Sequence, residues 1–285
     1  MIGPVPPPEC WSEWGGDGPP LVFAHANGFP PASYRMLFKV LARQFHVTSF
    51  AARPLWPGSE PSTIVSWRDL GRDFGRILSD REIRRAIGVG HSLGGALSIL
   101  AAAADPSVFR TLVLIDPVVF TGLQTLFWGA LKNLGFSNRL PLIRGARRRR
   151  DRFPDLDAVR SAYARKSVFS TWNPQVLEDY VQAGFTETGE GDVVLRYSKA
   201  WESRIFELTP ASLWSDIPRV EVPMLVIRGA SSDTFLPAAA DRIRRQIPGA
   251  TVVELPDTTH FLPMESPETV ATTIIEWHQG IHENG

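Results

Sequence analysis

Gly90-His91-Ser92-Leu93-Gly94 stands between the apolar run AIGV and the small-residue stretch LGGALSILAAAA. A serine hydroxyl becomes a useful nucleophile when a sharp strand-to-helix turn pushes it out and a nearby base takes its proton. Glycines two before and two after the serine suit such a turn, because a Cβ at either place would crowd the adjoining strand or helix. The helix that follows aims backbone N–H groups and the positive end of its dipole at the hydroxyl. Ser92 is the candidate nucleophile.

The base must come from elsewhere, since a side chain adjacent to the nucleophile on this turn points away from the hydroxyl. His91 is therefore expected to pack or to line the site. His260 fits the base, lying on a loop after the strand-like TVVELP and before the last helix. An imidazole base needs an acid to fix its tautomer. Asp233, just after VPMLVIRGA, completes the chain order Ser92, Asp233, His260. Asp116, which ends TLVLIDP directly after the elbow helix, is the alternative acid. Acyl transfer also needs backbone donors for an oxyanion. One is expected from Leu93, and the other from the turn His25-Ala26-Asn27-Gly28-Phe29-Pro30, with Phe29 and Asn27 both candidates.

Gly88-Val89-Gly90 with Gly94 also resembles a dinucleotide-binding turn. That reading wants the turn near the chain start and an acidic ribose partner after the next strand. Here two strand–helix units come first, and Asp105 falls near the end of the helix, so no nucleotide cofactor is expected. No His-Glu-x-x-His, paired-cysteine or calcium-loop spacing occurs, so no metal is expected either.

These residues need a rigid platform. Apolar runs at LVFA, HVTSF, AIGVGH, TLVLI, MLVI and TVVEL alternate with amphipathic stretches such as TIVSWRDLGRDFGRILSD, where apolar positions recur at threes and fours. Strands that are apolar throughout, separated by helices, predict an α/β fold with a mostly parallel, doubly wound sheet covered on both faces. The first twenty residues, rich in Pro and Gly, are expected on the surface. The strand–helix repeat stops between residues 118 and 216, which read as a helical, aromatic insertion over one end of a core made of residues 1–117 and 217–285.

Hydrophobic residues make up 44% of the 285 and charged residues 21%, with 30 Lys+Arg balancing 30 Asp+Glu. That balance supplies no broad field for nucleic acid or an anionic membrane. Five arginines in the seven residues from Arg144 to Arg150 are the local exception, and Asp151, Asp155 and Asp157 close behind them suggest a solvated, ion-paired surface. The lone Cys10 cannot form an internal disulfide. MIGPVPPPEC lacks the basic start and apolar run of a secretory leader, and no stretch reaches the length of a membrane span. A cytoplasmic location is the expectation.

HANGFP, GHSLGG, LIDP, RGASSDTF and PDTTHFLP together resemble the α/β-hydrolase superfamily along nearly the whole chain. The resemblance is to its cap-bearing branch, and it implies hydrolysis through an acyl-enzyme at Ser92. Two departures stand out. Only CWSEW is available for the usual first hairpin, and the His-Gly doublet common in the oxyanion turn is replaced by His25-Ala26-Asn27-Gly28. The expected activity is cleavage of hydrophobic, small-to-medium carboxylic esters. A carbon–carbon bond hydrolase or a perhydrolase using the same triad, and a slow-turnover ligand receptor on this fold, are the alternatives.

Overall fold

The computed structural model describes residues 4–133 and 140–283. Its centre is a seven-stranded sheet in the order β1-β3-β2-β4-β5-β9-β10. The strands are β1 (Trp11–Gly15), β2 (Pro20–Ala24), β3 (His46–Phe50), β4 (Ala86–His91), β5 (Phe109–Ile115), β9 (Met224–Gly229) and β10 (Ala250–Leu255). Every pairing is parallel except that of β1 with β3. Trp11–Gly15 is thus an antiparallel edge strand and not surface loop, so a single strand stands where the resemblance leads one to look for a hairpin.

Side chains alternate across the sheet because successive Cβ atoms leave a strand on opposite faces. Val22, Leu112, Leu114 and Val226 enter one core, with helices α2 (Trp67–Asp80), α3 (Leu93–Ala104) and α9 (Pro237–Gln246). Leu21, Phe23, Val113 and Ile227 enter the other, with α1 (Arg35–Leu41) and α11 (Pro267–Glu283). The two cores and the sheet make a three-layer α/β fold.

Helix α2 starts at a capping box: Ser66 accepts from the Arg68 N–H, and the Asp69 carboxylate accepts from the Ser66 N–H. The short α10 (Leu262–Glu265) precedes α11. No helix among the described residues is long and apolar enough to cross a membrane.

Between β5 and β9 the chain forms helices α4 (Leu123–Asn133), α5 (Pro141–Arg148), α6 (Leu156–Ala164), α7 (Pro174–Gly184) and α8 (Lys199–Glu207). It also forms a small antiparallel sheet of β6 (Arg152–Phe153), β8 (Val193–Leu195) and β7 (Phe185–Glu187), where only helices were expected. Strands of two or three residues are too short to leave a period in the sequence.

Parallel pairing brings the carboxyl ends of β2, β4, β5, β9 and β10 to one edge of the sheet. In open α/β sheets that edge is where ligands bind.

Candidate active site

Ser92 occupies the junction of β4 and α3 with φ +54°, a left-handed backbone conformation that non-glycine residues rarely adopt. The flanking glycines are required by space. A Cβ on Gly94 would lie 1.9 Å from the Ala24 carbonyl oxygen, and one on Gly90 would lie 2.4 Å from that of Gly94.

His260 reaches the site from the loop between β10 and α10. Its Nε2 lies 2.9 Å from Ser92 Oγ, and its Nδ1 lies 2.7 Å from Asp116 Oδ1. With the Nδ1 proton donated to the carboxylate, Nε2 is left to accept from the serine hydroxyl. The loop itself is pinned by Glu265, whose carboxylate accepts from the Thr259 N–H at 2.7 Å and the Thr259 hydroxyl at 2.8 Å.

The carboxylate in contact with His260 is that of Asp116, not that of the expected Asp233. Asp116 directly follows β5, the neighbour of the elbow strand β4, and it also has a left-handed φ, +40°. It is 0% exposed, and besides His260 it accepts from the Ser232 hydroxyl at 2.6 Å and the Gly229 N–H at 3.0 Å. The turn after β9 closes tightly: the Ser232 N–H donates to the Gly229 carbonyl, and the Ser231 N–H to that of Thr258. This geometry turns Ser232 inward onto Asp116 and leaves Asp233 exposed at the cavity wall, its carboxylate accepting from the neighbouring Thr234 hydroxyl at 3.2 Å and, among the described residues, from no other side chain. Ser232, which sequence reasoning passed over, stands one place away from the aspartate it favoured.

Of the two candidates on the 25–30 turn, Phe29 has its N–H committed to the Ala26 carbonyl at 3.2 Å. The Asn27 and Leu93 N–H groups have no protein partner among the described residues, and both residues line the same cavity as Ser92. Asn27 and Leu93 are therefore the pair with N–H groups to offer. Phe29 contributes its ring to the cavity wall instead.

A buried hydrogen-bond relay joins this turn to the histidine loop. The Ala26 N–H donates to the Tyr34 hydroxyl at 3.1 Å, and that hydroxyl donates to His91 Nδ1 at 2.8 Å. The His91 Nε2–H then donates to the His260 carbonyl at 2.9 Å. Burial, with His260 adding to it, holds His91 well below the usual histidine range, so it stays neutral as the relay requires. His91 thus neither titrates with substrate nor lines a surface alone; it fixes the backbone of the proposed base. His25 locks the turn from behind: its Nδ1 faces the Ala26 carbonyl at 2.8 Å, and its Nε2 accepts from the Ala52 N–H at 2.9 Å. Burial pushes its pKa down to about 4.

The cavity in front of Ser92 has a volume of about 780 Å³. Phe29, Trp128, Phe169, Trp172, Phe206 and Phe261 make much of its wall. Arg149 also reaches into it, unlike the solvated surface arginine expected there. It donates to Glu202 at 3.0 Å, to the Tyr163 hydroxyl at 2.9 Å and to the Tyr180 hydroxyl at 2.6 Å. Asn27 Nδ2 donates to the Glu202 carbonyl at 3.1 Å, which ties α8 to the turn beside Ser92.

Residues 21–273 match the model of the alpha/beta hydrolase family. The chain belongs to that family. A hydrolytic role follows from membership; the bond cleaved does not. The chain is similar to 2-(acetamidomethylene)succinate hydrolase of Mesorhizobium japonicum, 26% identical over 264 residues that cover 91% of this chain and 87% of that protein. It is also similar to the sn-1-specific diacylglycerol lipase ABHD11 of Danio rerio, at 24% identity over 93% of this chain and 80% of the lipase. Among solved structures, E-2-(acetamidomethylene)succinate hydrolase superposes with a TM-score of 0.78 at 24% identity, over 94% of both chains.

Proposed function

We propose that this hydrolase is a serine esterase that cleaves hydrophobic, small-to-medium carboxylic esters through an acyl-enzyme at Ser92. The observation that carries the reading is the pair of contacts at His260, 2.9 Å to Ser92 and 2.7 Å to Asp116. His260 Nε2 takes the hydroxyl proton as Ser92 Oγ bonds to the ester carbonyl carbon. The carbonyl oxygen becomes an oxyanion held by the Leu93 and Asn27 N–H groups, and the buried Asp116 carboxylate stabilises the imidazolium. Collapse of the tetrahedral intermediate breaks the C–O bond, and the Nε2 proton passes to the leaving alkoxide. Water, deprotonated by the same nitrogen, then attacks the acyl-enzyme, and a second collapse frees the acid and restores Ser92.

In this reading residues 118–216 act as a cap whose aromatic side chains select the substrate. A cavity of about 780 Å³ with an aromatic wall supports apolar acyl or alcohol groups over small polar ones. A lipase among the relatives is in keeping with ester chemistry.

The test is turnover of aryl and short-chain alkyl esters by the wild type and Ser92→Ala. Multiple turnovers abolished by the substitution are expected. Wild-type protein that turns over none of these esters, or a Ser92→Ala variant as active as wild type, would overturn the proposal.

A further inference from the structure

The whole-chain charge balance conceals a local imbalance. From Pro117 to Arg150 the sequence contains no Asp or Glu at all, while Arg144, Arg147, Arg148 and Arg150 are exposed on and just after α5. Arg144 and Arg148 have no acidic partner among the described residues. Arg147 pairs with Glu207 at 2.6 Å, and Arg150 lies over the Phe153 ring at 4.2 Å.

Helix α4, which lines the same cavity as α5 through Gln124 and Trp128, is inverted. A surface helix normally turns its apolar stripe inward. Helix α4 instead presents Leu123, Leu126, Phe127 and Ala130 outward, spaced i, i+3, i+4, i+7, with Leu123 83%, Leu126 68% and Phe127 55% exposed. Five of the seven large exposed apolar side chains among the described residues are these three with Leu142 and Val168. Leu142 and Val168 also line the cavity in front of Ser92, so its wall carries exposed apolar side chains.

We propose that this face of α4 and α5 docks the protein on an anionic lipid bilayer, with the cavity mouth against the membrane. An outward apolar stripe on one cavity-lining helix, with Arg144 and Arg148 free of acidic partners among the described residues on another, matches both demands of an interface: acyl chains for the stripe and anionic headgroups for the guanidinium groups. An acidic protein partner or nucleic acid would use the arginines and leave the leucines unexplained. A second copy of this chain would cover the leucines but bring arginine against arginine. The inference does not depend on the esterase reading, since binding is measured without turnover.

The experiment is flotation of the full chain with phosphatidylcholine vesicles, with and without phosphatidylglycerol, at low and raised salt. The wild type should float with the anionic vesicles only, and less at raised salt. Arg144→Gln and Arg148→Gln should each weaken binding by about fivefold. Leu126→Ser with Phe127→Ser should also weaken it, with far-UV circular dichroism unchanged. None of these four side chains lines the cavity, so turnover of a water-soluble ester should persist in every variant. Three results would overturn the proposal: wild type left behind by anionic vesicles, equal binding to both vesicle types, or a dimer in sedimentation velocity that the Leu126/Phe127 change dissociates.

Discussion

Asp116→Asn is the most informative single substitution, because the structure dictates how the new amide must sit. Asp116 Oδ2 accepts from the Gly229 N–H at 3.0 Å, while Oδ1 accepts from Ser232 at 2.6 Å and His260 at 2.7 Å. The Gly229 N–H cannot reorient, and facing it with an NH2 group would leave two buried donors opposed, at about 1–3 kcal/mol. The Ser232 hydroxyl, which already accepts from the Thr234 and Phe235 N–H groups at 3.2 and 3.3 Å, can turn its proton aside at lower cost than a fixed backbone N–H. The asparagine therefore turns its oxygen to Gly229 and its NH2 to Ser232 and His260. That stabilises the tautomer with Nδ1 bare and the proton on Nε2, which cannot take a proton from Ser92. Loss of the tautomer and of the charge opposite the imidazolium should cost about 10⁴-fold in kcat/KM, roughly 5.5 kcal/mol. Asp233→Asn, at an exposed position whose carboxylate meets only Thr234 among the described residues, should stay within about threefold of wild type. The assay is steady-state hydrolysis of a chromogenic ester, with thermal melts to confirm folding. An Asp233→Asn variant that loses activity while Asp116→Asn keeps it would refute the reasoning.

Three further outcomes follow from the buried groups around the site. Tyr34→Phe leaves the Ala26 N–H and His91 Nδ1 without partners and should lower stability by about 2–3 kcal/mol in urea titrations, whereas no change would show the relay to be idle. His91→Phe removes the donor to the His260 carbonyl and should reduce kcat/KM by about tenfold, one positioning hydrogen bond; unchanged kinetics would contradict this. His25, with its pKa depressed from 6.5 to about 4, stays neutral in the fold while its unfolded counterpart charges below about pH 6.5, so stability is full above that pH and falls as the pH drops toward 4. Between about pH 6.5 and 5, before ordinary carboxylates titrate, this amounts to about 2 kcal/mol, and His91 acts in the same direction. A flat stability profile over that window would count against both assignments.

Much of the site was legible because its demands are local. The glycine spacing around Ser92 follows from steric contacts within one turn, and the His260 loop is marked by polar residues between an apolar strand and the last helix. The acid was harder to read. Asp116 and Asp233 both follow apolar strands, and choosing between them requires knowing that β5 lies next to β4 while the turn after β9 folds Ser232 inward. Side-chain direction in such a turn obeys no period. Phe29 and Asn27 were inseparable for the same reason, since the N–H of Phe29 is consumed by a hydrogen bond across its own turn. His91 gave no sign of its partners in sequence, because Tyr34 lies 57 residues away and the His260 carbonyl 169 away. The arginine run misled by being read as one unit: Arg149 turns into the cavity while Arg144 and Arg148 face solvent.

The central claim is that His260 and Asp116 activate Ser92 as a nucleophile. Intact-mass measurement after treatment with a fluorophosphonate tests it directly, followed by peptide mapping. The account predicts a single adduct on Ser92, lost in Ser92→Ala and formed far more slowly in His260→Ala. An adduct on another residue, or a wild-type protein that remains unlabelled, would contradict it.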